Sequence, residues 1–444
     1  MFIRKANVRV VPFVVLVLLL STLGSAQQPP MTKFDRDRLQ EMLHMVASDV
    51  QKHYYDPKFH GLDWDATIAK AKSEINSETS MNMGMSHIAA ALDNLNDSHT
   101  FFTPPRHANR YDYGWQYQMV GDHCFVTHVR PNSDAETKGV KSGDELLGLN
   151  GFTPNRENLW KMQYVFNLLR PQPALRLDLK DSGGQQRKVD VLAKIREGKR
   201  VADISGSGND NDIWDLIREG EREDHLTRVR SAEFGDQLMV LKIPEFTFTL
   251  TEAEGMIGKA RKHQALVLDL RGNPGGYVDV LRFLLGGMFE NEVKIADRVG
   301  RKEHKPEVAK PSHNPFTGKL IVLVDSKSAS AAELFARVVQ LEKRGVVIGD
   351  RSSGSVMEAR HYEEQVGVDT VVFFGASITD SDLIMTDGQS LEHHGVTPNE
   401  IALPTGKDLA SGRDPVMARA AELLGVKLSP EDAGKLFPYE WQPQ

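Results

Sequence analysis

Two short segments hold residues suited to acyl-transfer chemistry. The first, Arg271-Gly272-Asn273-Pro274-Gly275-Gly276, follows the apolar run ALVLDL (265–270) and precedes a helical pattern. A proline followed by two glycines lets the backbone turn sharply. It leaves the amide N–H groups of Gly275 and Gly276 uncovered by side chains, near a helix start where partial positive charge gathers. Such amides suit an oxyanion. The second segment, Ser326-Lys327-Ser328-Ala329-Ser330-Ala331-Ala332-Glu333, follows KLIVLVD (319–325) and again enters a helix. Ser330 sits on this strand-to-helix turn between alanines, and the Ala331 N–H offers a second donor. Negative charge developing against both loops would gain about 3–4 kcal/mol per well-placed donor. Serine is also common as a helix N-cap, so the residues alone leave two roles open for Ser328 or Ser330, cap or nucleophile.

The elements around these loops follow from periodicity. The runs LMVLKI (238–243), ALVLDL, KLIVLVD and GVVIGD (345–350) alternate with helical stretches from Tyr277 and Ala331. Near-continuous Val, Ile and Leu runs separated by helices indicate buried, largely parallel strands in β-α units. Such sheets place their working groups on loops at the carboxyl ends of the strands. Upstream, Leu39, Met42, Leu43, Met45, Val46 and Val50 recur at threes and fours. Similar stretches from Ala66 to Ile75 and Ile88 to Leu95 predict a small helical bundle that ends in LDNLNDSHT (92–100). From Tyr113 to about Ile195 the period changes to that of strands and turns. Arg196 to Asp212 contains Ser205-Gly206-Ser207-Gly208-Asn209-Asp210, read as a flexible connection. It is no nucleotide loop, because Asn211 stands where a third glycine belongs.

Composition sets the outer limits. A chain of 444 residues suggests about three domains. An apolar fraction of 40% and a charged fraction of 26% exclude wholesale disorder and a multi-span membrane protein. A net charge of −7 offers no overall basic field, so nucleic acid is not an expected partner. The lone Cys124 excludes an intramolecular disulfide framework and a cysteine zinc site. The adjacent His393 and His394 share no helix face, and neither they nor His44, His53 and His60 have metal-ligand spacing, so no metal or cofactor is expected. Residues 1–26 run from Arg4, Lys5 and Arg9 through apolar Val10–Leu20 to Gly24-Ser25-Ala26. That order reads as a signal peptide, with a mature start near Gln27, a secreted or periplasmic location and no stable membrane span after cleavage. The sequence sets no oligomeric state.

The pair LVLDLRGNPGG and VLVDSKSASAAELFA resembles the central signature of the C-terminal processing (tail-specific) serine peptidases, and LEHHGVTPNEIALPT (391–405) resembles that family's closing element. The resemblance covers nearly the whole mature chain. It implies a multidomain α/β protein: a helical N-terminal region (32–105), a PDZ-like β-rich module (113–195), a linker and connecting segment (196–235), a mostly parallel, crotonase-like peptidase core (236–405) and a C-terminal helical tail (406–444). It places the nucleophile on Ser330 and the oxyanion amides on Gly275 or Gly276 together with Ala331.

One departure changes the expected chemistry. Typical members of the family activate serine with a lysine, and Ser355, in Gly349-Asp350-Arg351-Ser352-Ser353-Gly354-Ser355, occupies that position here. A serine hydroxyl cannot serve as the base, so the chain is either inactive or draws its base from elsewhere. A tricorn-like branch uses serine and histidine, aided by a second serine and a glutamate. Its resemblance puts the base on His99, with Ser98 and Glu392 fixing and stabilising the imidazole. Lys327, three residues from Ser330, would have to fold back and lose its charge in a dry site. Glu358 and His361 read as solvated strand residues.

YGWQYQMV (113–120) and FVTHVRPNSDAETKGVKSGDELLGLNG (125–151) resemble a PDZ domain. In such a module an extended peptide adds a strand to an open edge. Gly114, Trp115, Gln116 and Tyr117 would form the carboxylate-binding turn, although Gln116 replaces a usual glycine. The expected function is an extracytoplasmic endopeptidase cleaving unstructured or C-terminal peptide segments through an acyl-enzyme. A catalytically inactive peptide-binding scaffold is the alternative, and a carrier of apolar ligands a third.

Overall fold

The structure, a computed structural model, describes residues 31–107, 109–197, 227–367 and 371–441. The signal-peptide reading and the glycine-serine connection both lie outside the described residues. The chain forms a mixed α/β fold in two compact units. Of the described residues, the first comprises those up to Arg106 with Phe166–Pro171 and those between Ala359 and Thr379, and the second those between His107 and Val165, those between Gln172 and Glu358 and those from Asp380 onward.

Three helices dominate the first unit: α1 (Lys33–His53), α2 (Trp64–Ser77) and α3 (Met81–Asp93). A reciprocal cap between Thr32 and Asp35 starts α1, whose Leu39, Met42, Leu43, Val46 and Val50 are buried at the expected spacing. Helix α3 begins seven residues before the predicted stretch. Its Gly84 lies against Leu39, where a Cβ would fall 2.3 Å from Leu39 Cδ1. That close approach, not an apolar stripe, brings the first turn of α3 into the bundle. Among the described residues no helix is long and apolar enough to cross a membrane.

Two sheets dominate the second unit. The antiparallel one has the spatial order β1 (Trp115–Val120), β2 (His123–Val129), β3 (Glu145–Leu149), β4 (Ala174–Lys180) and β5 (Gln186–Leu192). In the other, β6 (Arg230–Phe234), β7 (Leu238–Lys242), β8 (Ala265–Asp269), β9 (Lys319–Val324), β10 (Val346–Gly349) and β11 (Glu400–Ile401) lie side by side in chain order. All neighbours there are parallel except β6 and β7. One face, with Leu241, Leu266, Leu268 and Val322, packs against α4 (Val278–Gly286) and α5 (Ala331–Leu341). The other face, with Val240, Val267, Ile321 and Ile348, packs against α6 (Pro415–Leu423). Burial on both faces is why these strands read as unbroken apolar runs.

A buried ion network fixes the end of β8. Asp269 accepts from Arg271 at 2.8 and 2.9 Å and lies 3.3 Å from Lys242, while Arg271 also forks onto Asp414 at 2.7 and 2.9 Å. Burial alone would raise the Asp269 carboxyl, but Arg271 and Lys242 hold it well below the carboxylate range. Breaking a buried pair strands its partner's charge. Asp269→Asn is therefore expected to lose about 3–5 kcal/mol of stability, seen as a lowered urea midpoint; an unchanged midpoint would show that the network contributes nothing net.

Candidate active site

Strand β9 ends at Val324, and the chain then turns through Asp325–Ser330 into α5. Ser330 stands on this turn with φ 54° and ψ −120°, a left-handed conformation unusual for a residue with a Cβ. Ser330 is the N-cap of α5 and shares a capping box with Glu333, whose carboxylate accepts the Ser330 N–H at 3.0 Å; the same N–H also reaches the Ser355 carbonyl at 2.8 Å. Ser328 is the structural serine of the turn. Its Oγ donates to the Leu270 carbonyl at 2.8 Å and accepts from the Asp325 N–H at 2.9 Å.

The glycine loop after β8 packs directly on that turn. A Cβ on Gly275 (φ +102°) would sit 2.8 Å from Ser330 Cβ and 2.9 Å from the Ala331 nitrogen. One on Gly276 (φ +136°) would sit 2.5 Å from the Phe246 carbonyl oxygen. The two glycines differ in their amides. The Gly275 N–H donates to Asn273 Oδ1 at 2.7 Å, which corrects the expectation that it could serve equally as an oxyanion donor. The hydrogen bonds of this loop use Gly275 O and Tyr277 N against Phe246 and do not engage the Gly276 N–H. Ala331, first residue of α5, has no intrahelical acceptor for its N–H. Gly276 and Ala331 thus supply the two amides beside Ser330.

Sequence reasoning missed the residues that join the loops. Asn273, fully buried, donates to the Ile243 carbonyl at 2.9 Å, while its own carbonyl accepts the Ala329 N–H at 2.9 Å. Asp325 Oδ1 accepts N–H groups of Gly272, Lys327 and Ser328 at 2.8–3.1 Å. Both signals, an Asn and an Asp inside turn motifs, were visible as local turn chemistry but not as bridges between distant loops.

Of the other expected site residues, Glu392 is buried, and its Oε2 accepts the Val356 N–H at 2.8 Å. This places it one residue from Ser355, whose carbonyl holds the Ser330 N–H. His393 is half exposed, 3.7 Å from Glu392, and His394 Nδ1 meets the Glu392 carbonyl at 2.8 Å. Lys327 is half-buried, and the burial of its ammonium pushes it below the usual range, with Asp325 opposing. His361 is exposed as expected, but Glu358 is not a solvated residue: Arg298 Nε lies 2.6 Å from its Oε2. Burial pushes the Glu358 carboxyl up, and Arg298 opposes that.

Ser98 and His99 belong to the first unit and are described within it. Ser98 Oγ lies 2.8 Å from His99 Nδ1. Asp97 shapes their turn, accepting the His99 and Thr100 N–H groups at 2.9 and 2.7 Å and the Thr379 hydroxyl at 2.8 Å. Burial pushes the imidazole below its ordinary value, and the Asp97 charge opposes this.

Gly114 (φ +73°) turns into β1, where Trp115 and Tyr117 are buried and stacked at 4.5 Å, and Gln116 pairs with His128. Strand β1 is the edge of its sheet, but its end is already tied to the turn that carries Ser330. Ser326 Oγ donates to the Met119 carbonyl, and Gln118 donates to Asp325 at 3.2 Å. Cys124 on β2 is buried, which pushes its thiol up to about 12.

A small pocket of about 30 Å³ opens beside Ser330, Ala331 and Gly276. Its walls are Val278, Leu281, Ile295, Leu334, Met357 and Leu383, with Glu307 and Glu358 also lining it. Arginines neutralise both carboxylates: Glu307 pairs with Arg282 and Arg298, and Glu358 with Arg298. Gly275→Ala would drive a methyl into Ser330 at a backbone angle that strains any Cβ, and is expected to lose about 1–3 kcal/mol of stability, seen as a lowered urea midpoint. An unchanged midpoint would show that the loops do not need this close approach.

Residues 237–402 match the model of peptidase family S41. The tail-specific protease of Haemophilus influenzae is 25% identical over 285 residues, covering 60% of this chain and 38% of that protein. The chloroplastic carboxyl-terminal-processing peptidase 3 of Arabidopsis thaliana is 24% identical over 338 residues, covering 69% and 59%. The chain thus spans from little over a third to under two thirds of these relatives. Among solved structures, mature CPAF (TM-score 0.62, 16% identity, 85% of this chain and 95% of that one) shares the fold. So does the photosystem II D1 C-terminal processing protease (TM-score 0.52, 16% identity, 90% and 100%). The stretch from 237 to 402, which carries Ser330 on its strained turn, is thus similar to peptidase family S41, and the chain's curated relatives include processing proteases.

Proposed function

We propose that the protein is a secreted or periplasmic serine endopeptidase acting on unstructured or C-terminal peptide segments. Ser330 attacks the scissile carbonyl. His99 takes the hydroxyl proton and later returns it to the leaving amine, and the Gly276 and Ala331 amides hold the oxyanion. Ser98 and Glu392 hold the imidazole and stabilise its charged form. The observation that carries this reading is the Ser330 turn: a serine on a strained backbone, flanked by the Gly276 and Ala331 amides, which have no protein acceptor in the loop. Two further facts support a histidine base. Ser355 fills the family's lysine position and is bound through its backbone. The Ser98 hydroxyl at His99 Nδ1 can receive a proton from that nitrogen, leaving the lone pair on Nε2.

The antiparallel sheet β1–β5 is read as the PDZ-like module, with β1 as the strand that meets a peptide, and the parallel sheet as the crotonase-like core. Small aliphatic side chains fit the pocket beside Ser330, whose carboxylates are already paired. The extracytoplasmic location rests on the N-terminal sequence pattern.

A fluorophosphonate probe is expected to label the wild type but not Ser330→Ala, and His99→Ala should react at least about 1000-fold more slowly. Glu392→Gln should fall by one to two orders of magnitude, the scale of a lost partner that orients a catalytic imidazole. Failure of the wild type to label at all would leave the scaffold reading. Because burial holds the imidazole below its ordinary value of about 6.5, it is neutral at pH 7 and loses its basicity only on acidification, so labelling should fall toward acid and not toward pH 8. Peptides with alanine or valine before the scissile bond should be cut faster than those with phenylalanine or aspartate; equal rates would dissociate the pocket from specificity.

A further inference from the structure

Glu333, third residue of α5, is fully buried, yet no Lys, Arg or His pairs with it among the described residues. Its carboxylate is instead surrounded by four donors from the turns around the site. Oε1 accepts the Ser352 hydroxyl at 2.6 Å and the Gly354 N–H at 2.8 Å. Oε2 accepts the Ser330 and Ser355 N–H groups, each at 3.0 Å. Ser352 Oγ in turn accepts the Val396 N–H at 2.6 Å, and the His393 N–H reaches the Gly354 carbonyl at 2.8 Å. One side chain therefore joins the nucleophile turn, the loop whose lysine is missing and, through that loop, the segment that carries Glu392.

We propose that Glu333 is a positioning residue whose ionised carboxylate holds Ser330 in its reactive turn and ties it to the 352–355 loop. This rests on Ser330 being the nucleophile. The two oxygens are needed as acceptors together. A neutral carboxyl or an amide presents a donor on one side, and there it faces either the Ser330 and Ser355 amides or the Ser352 and Gly354 donors. A buried anion with no cation survives only on such donors and on the positive end of α5. Burial pushes its carboxyl up to about 7, which the four hydrogen bonds oppose. The groups facing it are Ser330, Ser352, Gly354 and Ser355, all neutral. The nearby acids Glu392 and Asp350 are held elsewhere, on the Val356 N–H and on Arg156.

Sign and consequence follow. A carboxyl whose folded value lies above its unfolded one of about 4.3 favours the folded state when protonated, so this contribution to stability is present in acid and is lost as pH rises toward and through 7. Activity runs the other way, since the acceptor exists only when ionised.

The test compares wild type, Glu333→Gln and Ser330→Ala by fluorophosphonate labelling, peptide kcat and KM, and melting temperature between pH 5 and 8. Glu333→Gln is expected to lose at least about 10-fold in kcat and labelling rate with KM within about 2-fold. Its acid limb should involve one proton fewer and lie at lower pH than in the wild type. The difference in melting temperature between wild type and Glu333→Gln should favour the wild type increasingly as pH falls from 7 to 5. Should Glu333→Gln fail to fold, the slope of the acid limb in the wild type alone decides: two protons support the proposal and one overturns it. Wild-type labelling rates and an unchanged pH profile in Glu333→Gln, with Ser330→Ala unlabelled, would overturn the role of Glu333 alone. Labelling that persists in Ser330→Ala would overturn the nucleophile itself.

Discussion

With φ at 54° and ψ at −120°, the Ser330 backbone occupies a region that costs a side-chain-bearing residue about 1–3 kcal/mol. It persists because its neighbours leave the turn no cheaper conformation. The N–H of Ser330 is shared between Glu333 and the Ser355 carbonyl, its carbonyl starts α5, and Gly275 closes the space beside its Cβ. The rest of the second unit can be understood as the frame for this turn. Strand β9 delivers it from a sheet covered on both faces, and α5 leaves from it with Ala331, Ala332, Leu334 and Phe335 buried. A turn anchored at both ends in packed elements cannot relax by itself.

The same logic explains the polar residues packed around the loops. Asn273, Asp325 and Glu333 each accept or donate across chain segments tens of residues apart, and each satisfies backbone groups that a sharp turn leaves without partners. Asp269, Arg271 and Asp414 do the same one layer below, using charge. Such networks contribute little net stability when complete, but they are costly when one member is removed. Their gain is geometric: the glycine loop and the serine turn are held at one separation.

Position 355 shows how a local replacement can be absorbed. At the position where the processing-peptidase resemblance expects a lysine, Ser355 gives its carbonyl to the Ser330 N–H and its own N–H to Glu333. The loop therefore keeps its structural work without an ionisable side chain at this position. The base proposed in its place, His99, stands in a turn whose shape is set by Asp97 and whose Nδ1 is met by Ser98.

Much of this was legible in sequence. Unbroken apolar runs announced a sheet buried on both faces, the threes-and-fours pattern announced α1, and paired glycines after a strand announced backbone that must approach another chain segment closely. These are local consequences of side-chain type, because strand burial, helix faces and positive φ act over a few residues. What distance in the chain concealed was which polar groups meet. The bridge of Asn273 to Ile243, the pairing of Glu358 with Arg298 and the four donors around Glu333 are decided only in three dimensions. A hydrogen bond depends on where the folded backbone brings two atoms within about 3 Å, and no spacing rule within one segment fixes that for residues twenty or sixty positions apart.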